Sequence, residues 1–170
     1  MSVPPADSPL GRMMATLPRP GRVEWIGLRP RRDVPMQVVA AADGVAGKGL
    51  RGDRYASGSG KRGITLLQAE HLPAIAALAG MAQVDPALLR RNIIVSGLPL
   101  VALKGRRFRL GGLLLEGTGD CDPCSRMEDA LGPGGFNAMR NHGGLCARIL
   151  AGGHVGIGDA VVALAADAVA

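Results

Sequence analysis

Glycine-bearing turns recur along this chain at intervals too short for long helices. Gly111-Gly112, Gly152-Gly153, Ser96-Gly97 and Gly158-Asp159 each stand beside short apolar or β-branched runs. Glycine reaches backbone conformations closed to other residues, so such pairs are natural hairpin points. The runs read as strands: Arg22 to Leu28, Met36 to Ala42, Ile64 to Leu67, Asn92 to Val95, Arg107 to Leu110, Leu113 to Glu116, Leu145 to Leu150 and Val155 to Leu164. Gln68 to Leu78 reads as a helix, with Leu72, Ile75 and Leu78 at near-helical spacing and Gly80 at its end. Asp85 and Pro86 are suited to open a second short helix through Arg91. Gly44 to Gly63 reads as a long loop, and Gly117 to Gly144 as loop and short helix. The pattern predicts a mainly β fold, a barrel or sandwich with short helical insertions. A parallel α/β sheet would need more helices between the strands.

The length of 170 residues suits one domain with a sizeable core, and the 47% hydrophobic content argues against disorder throughout. Residues 1–20 are proline-rich and carry no apolar stretch, so they read as a flexible N-terminal tail rather than a secretory signal. No apolar run approaches the roughly 20 residues that cross a bilayer. The expected setting is therefore cytoplasmic, with no membrane partner. The formal charge is +6, and 17 of the 20 basic residues are arginine, the side chain suited to bidentate binding of phosphate or carboxylate. Aromatic residues make up only 2%, which leaves almost no platform for stacking bases. A small anionic or phosphorylated ligand is a more economical partner than nucleic acid. Three cysteines in such a chain do not suggest a disulfide framework.

Three polar clusters stand out. The first is the glycine-rich, basic loop Gly47 to Tyr55 and Gly58 to Gly63, which includes Arg51, Arg54, Lys61 and Arg62. Glycines let backbone N–H groups approach an anion, and the basic side chains add charge, although the spacing is not that of a Walker loop. The second is Arg90, Arg91 and Asn92, just ahead of a buried strand. The third is Asp120 to Glu128, with Cys121 and Cys124. Pro123 restrains Asp122 away from helical geometry, so a helix can begin at Cys124 or Ser125. The Cys124 sulfur then lies near unpaired N–H groups and Arg126, a setting that favours thiolate. Competing readings are a buried apolar cysteine, a Cys121–Cys124 redox dithiol, and a zinc site of Cys121, Cys124, His142 and Cys146. His142, flanked by Asn141 and Gly143, also reads as a solvated loop residue.

Taken in order, Gly-Leu-Arg-Gly-Asp-Arg at 49 to 54, Arg-Arg-Asn-Ile at 90 to 93, Pro-Cys at 123 to 124 and Gly-Gly-His-Val-Gly-Ile-Gly-Asp at 152 to 159 resemble the signature of MOSC domains, the C-terminal domain of molybdenum cofactor sulfurases. Ile64-Thr65-Leu66 and Gly105 to Gly111 fall between them, and the likeness runs from Arg22 to Leu164. The resemblance implies a MOSC-type β-barrel with short helical insertions, a single domain over 21–166. It implies that Cys124 carries sulfur as a persulfide or engages a metal-sulfur group. With the basic clusters, it leads to the expectation that Arg51, Arg54, Lys61, Arg62, Arg90 and Arg91 hold the phosphate of a molybdenum cofactor (molybdopterin) or a related anion, and that Asn92 hydrogen-bonds the pterin or orients the loop. The larger relatives attach a pyridoxal-phosphate desulfurase domain for which this chain has no room. The expected sulfur donor is therefore a separate cysteine desulfurase or another donor, and the expected acceptor a molybdenum-pterin or molybdoenzyme. A non-catalytic molybdopterin-binding module and a zinc-stabilised barrel are the alternatives.

Overall fold

The computed structural model describes residues 3–55 and 58–165. The first two residues of the expected tail and the expected domain end at residue 166 lie outside the described residues. Ten strands and four helices follow in order: α1 (Pro9–Ala15), β1 (Gly21–Leu28), β2 (Gln37–Val39), β3 (Ala41–Gly44), β4 (Ile64–Gln68), α2 (His71–Leu78), β5 (Ile93–Ser96), β6 (Arg107–Leu110), β7 (Leu113–Asp120), α3 (Ser125–Leu131), α4 (Gly135–Met139), β8 (Leu145–Ala151), β9 (Gly153–Gly156) and β10 (Ala160–Ala163). Single 3-10 turns cover Pro86–Leu89 and Leu100–Leu103.

Strands β10, β6, β7, β8, β4, β5 and β1 pair in that order, and β1 pairs with β10 to close a barrel. Strand β2 adds to the free side of β1, and β3 with β9 forms a separate ribbon. All pairings are antiparallel except β4 with β5, which α2 connects. Parallel strands need such a crossover. Strands β4 and β5 are buried on both faces, which fits their near-continuous apolar sequences. Leu66 and Ile93 point into the barrel with Phe108, Leu110 and Leu115. Their neighbours Leu67 and Ile94 point out, against Ile75, Leu89, Met127 and Met139. This second cluster seats the helices, and so α3, on the barrel wall.

Four expectations change in detail. Residues 1–20 contain α1, capped by the Ser8 side chain accepting from the Gly11 N–H, with Pro9 in its first turn. The strand expected over Met36 to Ala42 is divided, because Gln37–Val39 pairs with β1 while Ala41–Gly44 pairs with β9. The helix expected from Gln68 starts at His71, since Gln68 completes β4 opposite Val95. The helix expected from Asp85 to Arg91 is a single 3-10 turn, capped by Asp85 and ended by Arg90 in a left-handed conformation.

A buried polar knot ties β1, the 49–54 loop, β4 and β5 together at one end of the barrel. Asn92 is fully buried. Its side-chain N–H groups donate to the Gly27 carbonyl and to Asp53 Oδ1, both at 3.0 Å. Its Oδ1 accepts from the Thr65 amide and hydroxyl at 3.2 and 3.1 Å and from Arg29 at 3.1 Å. Asp53 in turn accepts from the Arg29 amide at 2.7 Å and from its guanidinium at 2.9 and 3.1 Å. Asn92 therefore has no face left for a ligand, and its expected contact with a pterin is corrected to a role in the frame. Burial opposes the Asp53 charge, yet Arg29 and the Arg29 and Tyr55 amides outweigh it and hold the carboxyl below its ordinary value.

Removing one member of this knot strands several buried groups, each of which forfeits roughly 1–3 kcal/mol without a partner. Asn92→Ala is therefore expected to lower unfolding stability by about 3 kcal/mol or more, measured in urea. A loss within the ~0.5 kcal/mol common for surface changes would show that the knot is dispensable. Because the folded-state value of Asp53 is depressed, its contribution is fully present above the ordinary carboxylate range and is lost as pH falls through the folded value. Asp53→Asn should flatten the acid limb of the stability profile, and an unchanged limb would assign that limb to other carboxylates.

Candidate functional site

Cys124 sits where the sequence places it, one residue ahead of a helix. It is the N-cap of α3, extended at φ −126° and ψ 176°, with its carbonyl accepting from the Met127 amide at 2.9 Å. Its side chain makes no capping bond and is exposed.

The segment leading to Cys124 is fixed by Arg91. This guanidinium is 6% exposed and donates to the carbonyls of Gly143 at 2.8 Å, Leu89 at 2.9 Å, Cys121 at 2.9 Å and Asp122 at 3.4 Å. Its donors are spent on the backbone, so the expected phosphate contact is corrected: Arg91 positions the cysteine segment. The close approach depends on bare backbone at the other end. A Cβ on Gly143 would lie 2.1 Å from the Cys121 carbonyl oxygen, and one on Gly144 would lie 1.9 Å from that of Leu66. Gly144 also takes φ +95°, a region that favours glycine.

Above this clamp lies a concentration of positive charge. Arg90, at φ 56°, donates to the Val34 carbonyl at 2.9 Å and the Arg31 carbonyl at 3.1 Å. Burial, and then the cations of Arg126, Arg29 and Arg54, lower its pKa, with Asp33 opposing. Four guanidinium groups thus share one neighbourhood. Arg126 contacts Asp33 at 3.0 Å, but that carboxylate is largely exposed and weakly held. Beside them runs a groove of about 810 Å³ whose walls include Arg32, Arg90, Arg126, Val34, Met36 and Leu88. Of the expected binding residues, Arg54 and Arg90 belong to this cluster. Arg51 and Lys61 lie exposed on the glycine-rich loop. Arg29 and Arg126 join the cluster without having been expected to bind. Arg29 follows β1 in a run of charged residues, and only its bonds to Asp53 and Asn92 single it out.

Arg62 serves the cysteines. Its Nη2 lies 4.0 Å from Cys121 Sγ. Cys146 first, and then Cys121 and Cys124, raise its pKa against the effect of burial. Cys121 and Cys146 are buried, and the Cys146 thiol donates to the Asp120 carbonyl at 3.7 Å. The neighbouring Cys146 thiol, helped by Arg91, Arg62 and Arg29, outweighs burial and lowers Cys121 to about 6. Cys146 shifts upward, through its interaction with Cys121 and through burial. Cys121 is buried and Cys124 exposed, so the C-x-x-C spacing does not give two equivalent thiols. His142 is half-buried and packs edge-on against His71 with ring centres 4.9 Å apart, not solvated as expected. Among the described residues no group of three His, Cys, Asp or Glu is arranged to hold a metal ion. No helix among them is long and apolar enough to cross a membrane.

Solved structures with the same fold include YuaD from Bacillus subtilis, at TM-score 0.73 and 20% identity over 86% of this chain and 97% of that one. YiiM from Geobacillus stearothermophilus aligns at TM-score 0.71 and 17% identity, over 86% of this chain and 76% of that one. YiiM from Escherichia coli aligns at TM-score 0.64 and 20% identity, over 85% and 70%. No curated protein sequence matches. The family model described as the MOSC domain matches residues 53–162, a span holding Arg62, Arg90, Arg91 and all three cysteines. The chain belongs to the MOSC domain family.

Proposed function

We propose that the protein is a sulfur carrier that loads a persulfide on Cys124 and holds it beside an anion site for a molybdenum-pterin. The observation that supports this reading is a division of labour among the thiols. Cys124 is exposed, one residue ahead of α3 and two ahead of Arg126, and it acts on Arg62, while Cys121 and Cys146 are buried. A donor persulfide, such as that of a cysteine desulfurase, can reach Cys124. The Cys124 sulfur attacks the outer donor sulfur, the donor S–S bond breaks, and the donor cysteine leaves as thiolate. The three free thiols fit a cytoplasmic setting, where thiols stay reduced.

The residues present suit an anionic, phosphate-bearing acceptor. Arg54 and Arg90 would hold its phosphate, with Arg29 and Arg126 adding field. The clustered cations depress the Arg90 pKa, and a bound anion would relieve that repulsion. The groove beside them has room for a fused-ring ligand and offers Val34, Met36 and Leu88 to its faces. When bound, the molybdenum cofactor would supply a metal centre able to receive the sulfur.

Two experiments test the reading. Incubated with a cysteine desulfurase and cysteine, the wild type should gain the mass of one sulfur on Cys124. Cys124→Ser should gain none, while Cys121→Ser and Cys146→Ser should still load. Loading on no cysteine, with pterin affinity that survives Cys124→Ser, would point to a passive binding module. The arginines should also separate. Arg54→Ala is expected to weaken binding of a phosphorylated pterin by about 1.5–3 kcal/mol at nearly unchanged stability, as befits an exposed charged hydrogen bond. Arg91→Ala is expected to cost about 3 kcal/mol or more in stability, because buried carbonyls lose their donors. Unfolding of both variants with ligand affinity intact would move the site elsewhere.

A further inference from the structure

Two short elements wall the groove beside the arginine cluster, and their charges run in opposite order. The 3-10 turn Pro86–Leu89 has Asp85 at its start and Arg90 at its end. Helix α3 has Arg126 in its first turn and Asp129 three residues later on the same face. The two arginines converge on one segment. Arg90 donates to the carbonyls of Arg31 and Val34, while Arg126 donates to the Arg32 carbonyl and to the Asp33 carboxylate. The carboxylates therefore lie away from that end. Asp85 stands about 10 Å from Arg90 along the turn, at ~2 Å per residue. Asp129 stands about 4.5 Å beyond Arg126 along the helix. Both line the groove, as do Met36 and Leu88, and Leu88 falls between Asp85 and Arg90 in the turn. Asp85 Oδ1 accepts from the Ala87 amide at 2.9 Å. Asp129 is exposed and makes no ion pair among the described residues. The groove is thus cationic toward one end, acidic toward the other, and apolar between.

We propose that Asp129, together with Asp85, selects ligands whose far edge presents paired N–H donors, as the aminopyrimidine edge of a pterin does. A carboxylate accepts two parallel N–H bonds in the fork it also offers to a guanidinium. The 2-amino group and the ring N3–H of a pterin form such a pair. A ring with a carbonyl in place of the amino group would set oxygen against carboxylate. Arg90 and Arg126 take the phosphate, and Met36 and Leu88 take the ring faces. The span of the groove suits a fused two-ring body with a short phosphate arm. A phosphate alone gains nothing from the acidic end, and a polyanion such as nucleic acid is repelled by it. Cys124 caps α3 at its arginine end, so the phosphate arm lies nearer the thiol than the aminopyrimidine edge does. The inference rests on reading this groove as the place of the pterin, and it adds the residues that choose the ring.

The test titrates the full chain by fluorescence with two probes of one shape. One is hydroxymethylpterin phosphate, and the other is the matching lumazine phosphate, in which a 2-carbonyl replaces the 2-amino group. The wild type should bind the pterin roughly tenfold more tightly or better, the scale of one hydrogen bond to a charged group. Replacing both carboxylates, Asp85→Asn with Asp129→Asn, should remove most of that preference. Asparagine caps a helix as well as aspartate does, so the turn at Asp85 keeps its cap. The same double variant should bind inorganic phosphate at least as tightly as wild type, because it loses negative charge and no phosphate donor. Equal binding of the two probes by wild type overturns the proposal, as does a preference that survives the double substitution; either result leaves the anion site standing. Binding of neither probe nor inorganic phosphate removes the anion site and the proposal with it. Failure of Cys124 to load sulfur, with the pterin preference intact, counts against the sulfur carrier alone.

Discussion

Arg91 and Asn92 are adjacent in sequence and serve two different parts of the molecule. Asn92 binds Gly27, Thr65, Asp53 and Arg29, and so locks the glycine-rich loop onto the barrel wall. Arg91 binds Gly143, Leu89, Cys121 and Asp122, and so locks the cysteine segment onto the neighbouring edge. Both side chains are buried, and both exchange bonds to water for bonds to the chain. Such groups contribute modestly when satisfied and cost a great deal when stranded, so they specify position more than they add stability. One dipeptide at the start of β5 thereby sets where two loops, distant in sequence, can meet. The position of Cys124 depends on that meeting.

The charges at the site divide along the same line. Arg29 and Arg91 are committed to partners inside the protein, and Arg62 is drawn toward the sulfurs. Arg54, Arg90 and Arg126 remain nearer solvent, and burial followed by the cations of Arg126, Arg29 and Arg54 raises the cost of ionising Arg90. Asp53 and Asp33 offset part of this charge, and any anion that bound the folded state there would stabilise it further through mass action.

Much of this was legible in the chain. The strands announced themselves because glycine pairs end them, and Cys124 announced itself because Pro123 leaves few places for α3 to begin. What escaped reading depends on partners remote in sequence. The break in the strand near Ala40 arises because residues on either side pair with different strands, β1 and β9. Nothing in Arg90-Arg91 says which guanidinium turns inward; the barrel decides that. Arg29 was missed because its significance lies in Asp53, which only the fold brings near. Cys121 looked like half of a C-x-x-C pair, and the β7–β8 pairing buries it opposite Gly144 while Cys124 stays exposed.

The closure of the barrel has a consequence of its own. Strands β1 and β10 meet through only two residue pairs, Gly21 with Val161 and Arg22 with Ala160. Beyond them, the Val23 amide donates to the Asp159 carbonyl, and the Gly158 amide donates to the Val23 carbonyl. The other joints of the ring are longer, and β4 with β5 is backed by a helix-bearing core. The molecule is thus a cylinder with a single narrow seam, and the seam joins its first barrel strand to its last. A structure built this way opens like a cuff, at the clasp, well before its far side yields. The two polar knots at Arg91 and Asn92 bind the β4–β5 side, so Cys124 stands on the part of the cylinder that lets go late.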